Sequence, residues 1–517
     1  MPAHLLIDYF EKAADRHPDR AFIILLDNEA SNDKPISYAR ANTRASAYAR
    51  QLSQTGIGRG DVVAILGANS INWVIAYLAC QKLGAAANPI NPELSADDIT
   101  QLFGVTSPKA VMTTMDEFAE MGPTFGCPVI HVGADGEVMR VDGSDRKPDN
   151  APFPRDPVLT GDDTMSILFT SGTTAALPKA VVNPIGPLMT GIEGYRRMSN
   201  IGPDDRVMVV TPLFHAAALN WAVTMVIFAG GTMLLTGPFS ASRFWAQARR
   251  GAATVLWTLG AIPFILLRRD PDADEAATLD RLRLIFAAGG GARSRELRER
   301  WGSRFQDGWG MSETVGTMTD NCCFEEYGTH PCIGMPVPGM EMAILDLETG
   351  AELGPLQTGE IAARYGMGFK EYLGNSEAME SSVRNGWFHT GDVGYRCAEG
   401  RYYFVDRIKD IIRRGGENIA SISVESAVAS YPGIVEVHAV AKPDPELSER
   451  VCLFLVMAPD APAPSLDALR DHCSKVLPRQ HLPEDLRLVA ETDLPRTPSG
   501  RVQKVKLKQQ LRVEAQS

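Results

Sequence analysis

The chain has 517 residues, 44% hydrophobic and 22% charged, with 51 basic against 63 acidic side chains and a net charge of −12. That length exceeds what one core supports and predicts two or more domains. The acidic balance excludes general nucleic-acid binding, which needs a basic footprint, and eight cysteines without a repeating frame exclude a disulfide scaffold and indicate a reducing compartment.

At the N-terminus, Leu5, Leu6, Tyr9, Phe10 and Ala13 fall at helical spacing with acids between them, which predicts an amphipathic first helix and not a signal peptide. Residues 60–88 then set a pattern. GDVVAIL reads as a short strand, SINWVIAYLACQKLG as an amphipathic helix closed by Gly84, and AAANPINP as a turn into the next unit. The alternation continues through KAVMTT, CPVIHV, the apolar run before Thr170, RVMVVTP, GTMLLTG, TVLWTLG and LRLIFAAGG. Short apolar strands separated by helices predict parallel sheets covered on both faces. Residues 207–242 carry no Lys, Arg, Asp or Glu, and length alone permits a membrane span. Pro212, His215, Asn220 and Gly230-Gly231 divide the run into strand, turn, helix and strand, so a buried α/β segment is expected. From about Gly339 the strands shorten and glycine becomes frequent, as in a small β subdomain. After Asp406 a compact βαβ-like tail is expected, broken by a Pro/Ala loop at 458–465. Cys322, Cys323 and Cys332 lie close to His330, but their spacing matches no zinc pattern.

Several stretches look chemical. The run MSILF empties into Thr170, Ser171, Gly172, Thr173 and Thr174, and Lys179 follows. Hydroxyls, amide N–H groups, a glycine that admits close approach and a mobile cation together suit phosphate. The sequence is no Walker A loop, since no Gly-Lys-Ser/Thr ends it. A Ser/Thr-rich surface turn is the plain alternative. Gly289, Gly290 and Gly291 permit a flat or extended ligand to approach, or simply connect a strand to a helix. In DGWGMSET the indole of Trp309 and the Ser312 hydroxyl sit near Glu313, hemmed by Gly308 and Gly310. Trp309 suits stacking on a nucleobase, and Glu313 suits Mg²⁺ shared with phosphate oxygens. Asp392, in a tight turn, has the acceptor chemistry for a ribose diol, with Arg407 a neighbouring donor, though an Asx turn explains an Asp before Gly equally simply. Gly415 and Gly416 read either as a β-turn or as a passage for a narrow substrate. Between Arg496 and Arg512 there are six Lys/Arg and no acid. A solvated helix face is the usual explanation, but PRTPSG at its start reads as an exposed loop able to swing a cation onto a polyphosphate.

In this order and at these spacings, the pieces resemble the adenylate-forming superfamily, and within it the acyl-CoA synthetase or carboxylic acid:CoA ligase branch. GGENI at 415–419 and PLFH at 212–215 are in that branch's style. The likeness covers essentially the whole chain. It implies a large N-terminal domain, 1–407, of parallel-sheet αβα layers plus a small β subdomain, and a smaller mobile α+β C-terminal domain, 408–517, with a hinge near Lys409. Carried over, the resemblance places Thr170 to Thr174 and Lys179 on ATP phosphates and Gly289 to Gly291 along the adenine and acyl pockets. It places Asp307 and Trp309 on adenine, Ser312 on the α-phosphate, Glu313 on Mg²⁺, and Asp392 and Arg407 on the ribose. His215 falls where the family has a gating residue. It further implies ATP, Mg²⁺ and coenzyme A as cofactors or co-substrates and a small carboxylic acid as substrate. A cytoplasmic enzyme of fatty acid metabolism, with no membrane span and with a homodimer as an allowed assembly, completes the expectation.

Two departures bear on catalysis. The phosphate loop has Ala175-Ala176-Leu177 where the family commonly has two residues before Pro-Lys, and lacks the usual glycines, with Ala180 at one such position. The family's C-terminal lysine should follow Ser-Gly, but Arg501 stands there, with a lysine only at Lys504. Arginine keeps the charge on a larger forked group. An acid–amine ligase using the same acyl-adenylate, and a catalytically degenerate nucleotide- or acyl-binding homologue, are the competing readings.

Overall fold

The computed structural model describes residues 5–133, 136, 138–141, 144–170, 178–260, 262–288, 294–314, 319–320, 330–496 and 502–516. Strands Val62–Leu66, Ala86–Ile90, Ala110–Thr113 and Val129–Val132 are buried almost throughout, as apolar runs covered on both faces must be. They pair in parallel, with Leu66 in register with Ile90 and Thr113. Thr164–Phe169 joins them in parallel, and antiparallel strands close both edges of this sheet, Ala180–Pro184 with Glu371–Tyr372 on one side and Met139–Val141 with Ser144–Arg146 on the other.

A second sheet runs in the order Phe305–Gly308, Leu284–Ala288, Val255–Leu259, Arg206–Val209, Thr232–Thr236, Ala21–Leu26 and Lys34–Ser37, parallel except at its last pairing. The main core lies between the two sheets. Ile65 and Met112 from the first meet Val209, Trp257 and Phe286 from the second through residues of the helices Leu6–Arg16, Tyr38–Gln54 and Ile71–Leu83. The parallel-sheet α/β class expected from the alternation is therefore present.

The helix Ile71–Leu83 is capped as its sequence requires: the Ser70 hydroxyl accepts from the Trp73 N–H at 3.1 Å, and Gly84 ends it at φ +67°. It is not amphipathic. Every residue from Asn72 to Leu83 is buried, because the helix occupies the middle layer and meets protein on all sides. The uncharged run 207–242 resolves into the strand Arg206–Val209, a π-helical turn Ala217–Val223 leading into the helix Thr224–Ala229, and the strand Thr232–Thr236. Among the described residues no helix is long and apolar enough to cross a membrane.

A third, antiparallel sheet is the small β subdomain, and its strand Cys332–Pro336 precedes the expected start near Gly339. The C-terminal sheet corrects the βαβ expectation. Ile434–Asp444 and Ser448–Met457 form an antiparallel hairpin, with only Asp485–Leu488 parallel to the second strand; the short link between the hairpin strands leaves no room for a crossover.

Candidate active site

Thr170 and Lys179 stand at the base of a hairpin. The strands Thr164–Phe169 and Ala180–Pro184 pair antiparallel, and the Thr170 N–H donates to the Lys179 carbonyl at 3.0 Å, which extends the ladder by one rung. Ser171, Gly172, Thr173 and Thr174 lie outside the described residues. After this segment the chain returns as a strand antiparallel to the one that enters it.

Pairing of Val181 with Tyr372 brings a third segment to this hairpin. The Tyr372 ring lies under the Lys179 ammonium, 4.3 Å from it to the ring centroid, and its hydroxyl donates to Glu313 Oε1 at 2.8 Å. One tyrosine thus joins the cation and the acid that the sequence placed 134 positions apart (313 minus 179). Sequence reasoning missed Tyr372, because only strand pairing reveals its contacts.

Glu313 is fixed in turn. Its backbone carbonyl accepts from the Phe369 N–H at 2.8 Å, and Gly368 permits the approach, since a Cβ there would stand 2.3 Å from that oxygen. Burial pushes the Glu313 carboxyl above the usual carboxylate range, while the Tyr372 hydroxyl and the charges of Lys179 and Arg407 pull against it. Burial, reinforced by the neighbouring Glu313 charge, also raises the Tyr372 phenol, so it remains a donor at neutral pH.

Asp307 and Gly308 end a strand of the second sheet, where Ala288 is aligned with Gly308. Gly289 to Gly291, outside the described residues, follow that neighbouring strand directly in sequence. Asp307 is buried and its Oδ1 accepts from the Gly308 N–H at 2.8 Å. Gly310 and Ser312 are partly buried in the segment leading to Glu313.

Trp309 packs beside Ile333, Met342, Ile344, Ile361 and Tyr402, and its indole N–H donates to Asp392 Oδ2 at 2.8 Å. Asp392 is not in a turn. It lies within the strand Trp387–Arg396, directly opposite Arg407 on Tyr402–Arg407. Gly391, at φ +74°, supplies the local irregularity that the sequence presents as a turn. Arg407 Nε comes within 3.0 Å of Asp392 Oδ1, yet its N–H is not aligned with that oxygen. Oδ1 is buried without a hydrogen-bond partner among the described residues. A carboxylate oxygen that is ion-paired but lacks an aligned hydrogen bond is suited to accept one from a hydroxylated ligand.

His215 opens the π-helical turn: its carbonyl accepts from the Ala218 and Leu219 N–H groups at 3.0 Å, and its Nδ1 faces the Ala217 N–H at 3.4 Å. Burial lowers its pKa, which keeps the ring neutral. Sequence spacing alone does not reveal this capping arrangement. Nearby on the same turn, Asn220 is buried with neither amide atom partnered among the described residues. Gly415 and Gly416, at φ +55° and +88°, form the two-residue turn between Ile412–Arg414 and Glu417–Ile419.

Arg501 lies outside the described residues. Lys504 is held by other groups: its ammonium contacts Ser421 Oγ at 2.7 Å and Glu425 at 2.6 Å. Burial opposes its charge, but the carboxylates of Glu425, Asp406 and Asp410 raise its pKa overall. Among the described residues, no group of three or more His, Cys, Asp and Glu is arranged to hold a metal.

The chain matches the AMP-binding enzyme family over residues 10–373 and the AMP-binding enzyme C-terminal domain over 423–501. It is 29% identical to a probable CoA ligase, CCL9, of Humulus lupulus, covering 96% of this chain and 95% of that one. It is also 29% identical to the oxalate–CoA ligase of Arabidopsis thaliana, with 98% of each covered. The structure of o-succinylbenzoate CoA synthetase (MenE) from Bacillus subtilis, in complex with its acyl-adenylate intermediate, superposes with a TM-score of 0.81 at 25% identity over 97% of each chain.

Proposed function

The chain belongs to the AMP-binding enzyme family, and on that footing we propose that it is an ATP-dependent carboxylic acid:CoA ligase. The observation that carries the reading is the convergence of Lys179, Tyr372 and Glu313, together with the Trp309–Asp392–Arg407 arrangement beside them in the sequence motifs. The CoA ligases among its relatives add support.

In this reading Asp392 Oδ1 accepts from a ribose hydroxyl, Arg407 supplies a donor, and Trp309 borders the base while holding Asp392 in place. Asp307 meets the adenine amino group, Gly289 to Gly291 line its pocket, and Ser312 contacts the α-phosphate. Thr170 to Thr174 and Lys179 hold the phosphates. The substrate carboxylate attacks the α-phosphorus; an O–P bond forms, and pyrophosphate leaves with the electrons of the broken P–O bond. The thiolate of CoA then attacks the acyl carbon, and AMP departs with the electrons of the broken C–O bond. Lys179 and Arg501 neutralise charge on the phosphate oxygens as it develops.

Glu313 fits a magnesium site in kind. It is a buried carboxylate oriented by Tyr372, and Mg²⁺ is commonly held by one or two carboxylates with nucleotide phosphates and water. Magnesium held there supplies positive charge to the phosphate oxygens.

The proposed domains are 1–407 and 408–517, with rotation about Lys409 clearing the phosphates for the thiol. His215 gates the acyl pocket, and Gly415-Gly416 border the thiol's path. The reading extends to a cytoplasmic enzyme of fatty acid metabolism. Because Asn220 is buried with unpartnered amide atoms, the acid panel includes acids with a distal hydrogen-bonding group.

The test is product analysis with ATP, Mg²⁺ and aliphatic, aromatic and cyclic acids, offering CoA or amines as acceptor. AMP with acyl-CoA is the expected product. Amides in place of acyl-CoA support the amide-ligase alternative, and nucleotide binding without pyrophosphate exchange supports a binder.

A further inference from the structure

The strand Trp387–Arg396 is irregular where it pairs with Gly359–Arg364. Glu360 is aligned with Val393 and Ala362 with His389, so the single residue Ile361 stands opposite Thr390, Gly391 and Asp392. A bulge of this kind re-aims the side chain that leaves it, and here that side chain belongs to Asp392. Extra residues also take their backbone groups out of the ladder, and other partners must then satisfy them. The Gly391 N–H donates to Glu360 Oε1 at 2.8 Å, and the Gly391 carbonyl accepts from the Ile408 N–H at 2.9 Å. The Thr390 hydroxyl donates to the Ile361 carbonyl at 2.5 Å and accepts from the Asp392 N–H at 3.1 Å. Gly391, at φ +74°, has no side chain of its own to fix it, so these bonds set the course of the chain into Asp392.

Glu360 is only 6% exposed, and a carboxylate is costly to bury unless hydrogen bonds compensate it. Its Oε2 lies 2.7 Å from His389 Nδ1, a nitrogen that Arg384 also approaches at 3.0 Å. Those neighbours hold one end of the carboxylate and leave Oε1 on the Gly391 N–H. An apolar side chain of the same size at this position leaves that N–H unpaired. We propose that Glu360 is a positioning residue for nucleotide binding: through the Gly391 N–H it sets the bulge that aims Asp392 Oδ1 at the ribose, while Trp309 holds Oδ2. This role rests on the nucleotide reading of Asp392. The bond from Ile408 to Gly391 carries the same restraint to the residue before Lys409.

The test compares the full-length parent with Glu360→Met and Glu360→Gln, by isothermal titration with AMP and by amide hydrogen exchange. Methionine keeps the length of the side chain but is at best a weak acceptor, whereas glutamine retains an oxygen for the Gly391 N–H. AMP binding is expected to weaken at least about tenfold in Glu360→Met and to return to within about threefold of the parent in Glu360→Gln. The Gly391 and Ile408 amides are expected to exchange faster in Glu360→Met than in Glu360→Gln. A carboxylate that serves the fold alone lowers the melting temperature of Glu360→Met and leaves the AMP affinity of its folded protein unchanged; that result overturns the proposal. Should Glu360→Met not fold, exchange in the parent decides: a protected Gly391 amide that stays protected in Glu360→Gln supports the contact, and one that exchanges like an exposed loop amide overturns it. Absence of AMP binding in the parent defeats the nucleotide reading and this role with it, whereas binding by the parent that neither variant alters defeats this role alone.

Discussion

Glu313→Gln is expected to cut acid-dependent pyrophosphate release by more than about 100-fold while leaving the melting temperature at or above the parent's. The amide keeps the size of the side chain but loses the charge that a magnesium ion requires. Stability moves the other way because burial raises the Glu313 carboxyl. Between its unfolded and folded pKa values the folded state binds more protons, so stability falls as pH rises through that window. At neutral pH the ionised carboxylate is therefore a burden, and a neutral replacement relieves it. Tyr372→Phe removes the donor that orients Oε1, and pyrophosphate release is expected to fall at least about tenfold. Near-normal pyrophosphate release by Glu313→Gln contradicts the assigned metal role.

Lys504→Ala and Arg501→Ala are expected to fail in different ways. Removing Lys504 strands Glu425 and the buried Asp406, whose carboxyl burial already raises. The expected loss is about 3 kcal/mol of stability, read as a lower denaturant midpoint, with adenylation by the folded fraction largely retained. Arg501→Ala is expected to keep the midpoint and lose about 100-fold in adenylation, as a cation serving the transition state should. The double comparison separates a structural lysine from a catalytic arginine. Equal, mild effects on pyrophosphate release mean that neither residue takes the place of the family's lysine.

Much of this was legible in the chain because strands buried on both faces leave continuous apolar runs, as at Val62–Leu66 and Val255–Leu259. The Gly84 helix stop was legible because a left-handed cap favours glycine. The uncharged run 207–242 was divided correctly because Pro212 and Gly230-Gly231 interrupt it. Other features depend on partners far away in sequence. Nothing local marks Tyr372; its contacts follow from pairing with Val181. The middle-layer burial of Ile71–Leu83 depends on two sheets closing over it, and the restraint on Lys504 needs Asp406, Ser421 and Glu425. The sequence presents Asp392 as a turn residue because Gly391 carries a turn signal inside a strand.

The most direct measurement is a crystal structure of the protein with AMP bound. The ribose is expected within hydrogen-bonding distance of Asp392 Oδ1, the base beside Asp307 and Trp309, and the phosphate facing Thr170 and Lys179. A nucleotide seated elsewhere, with no ribose hydroxyl near Asp392 Oδ1, contradicts a site assembled from these distant segments.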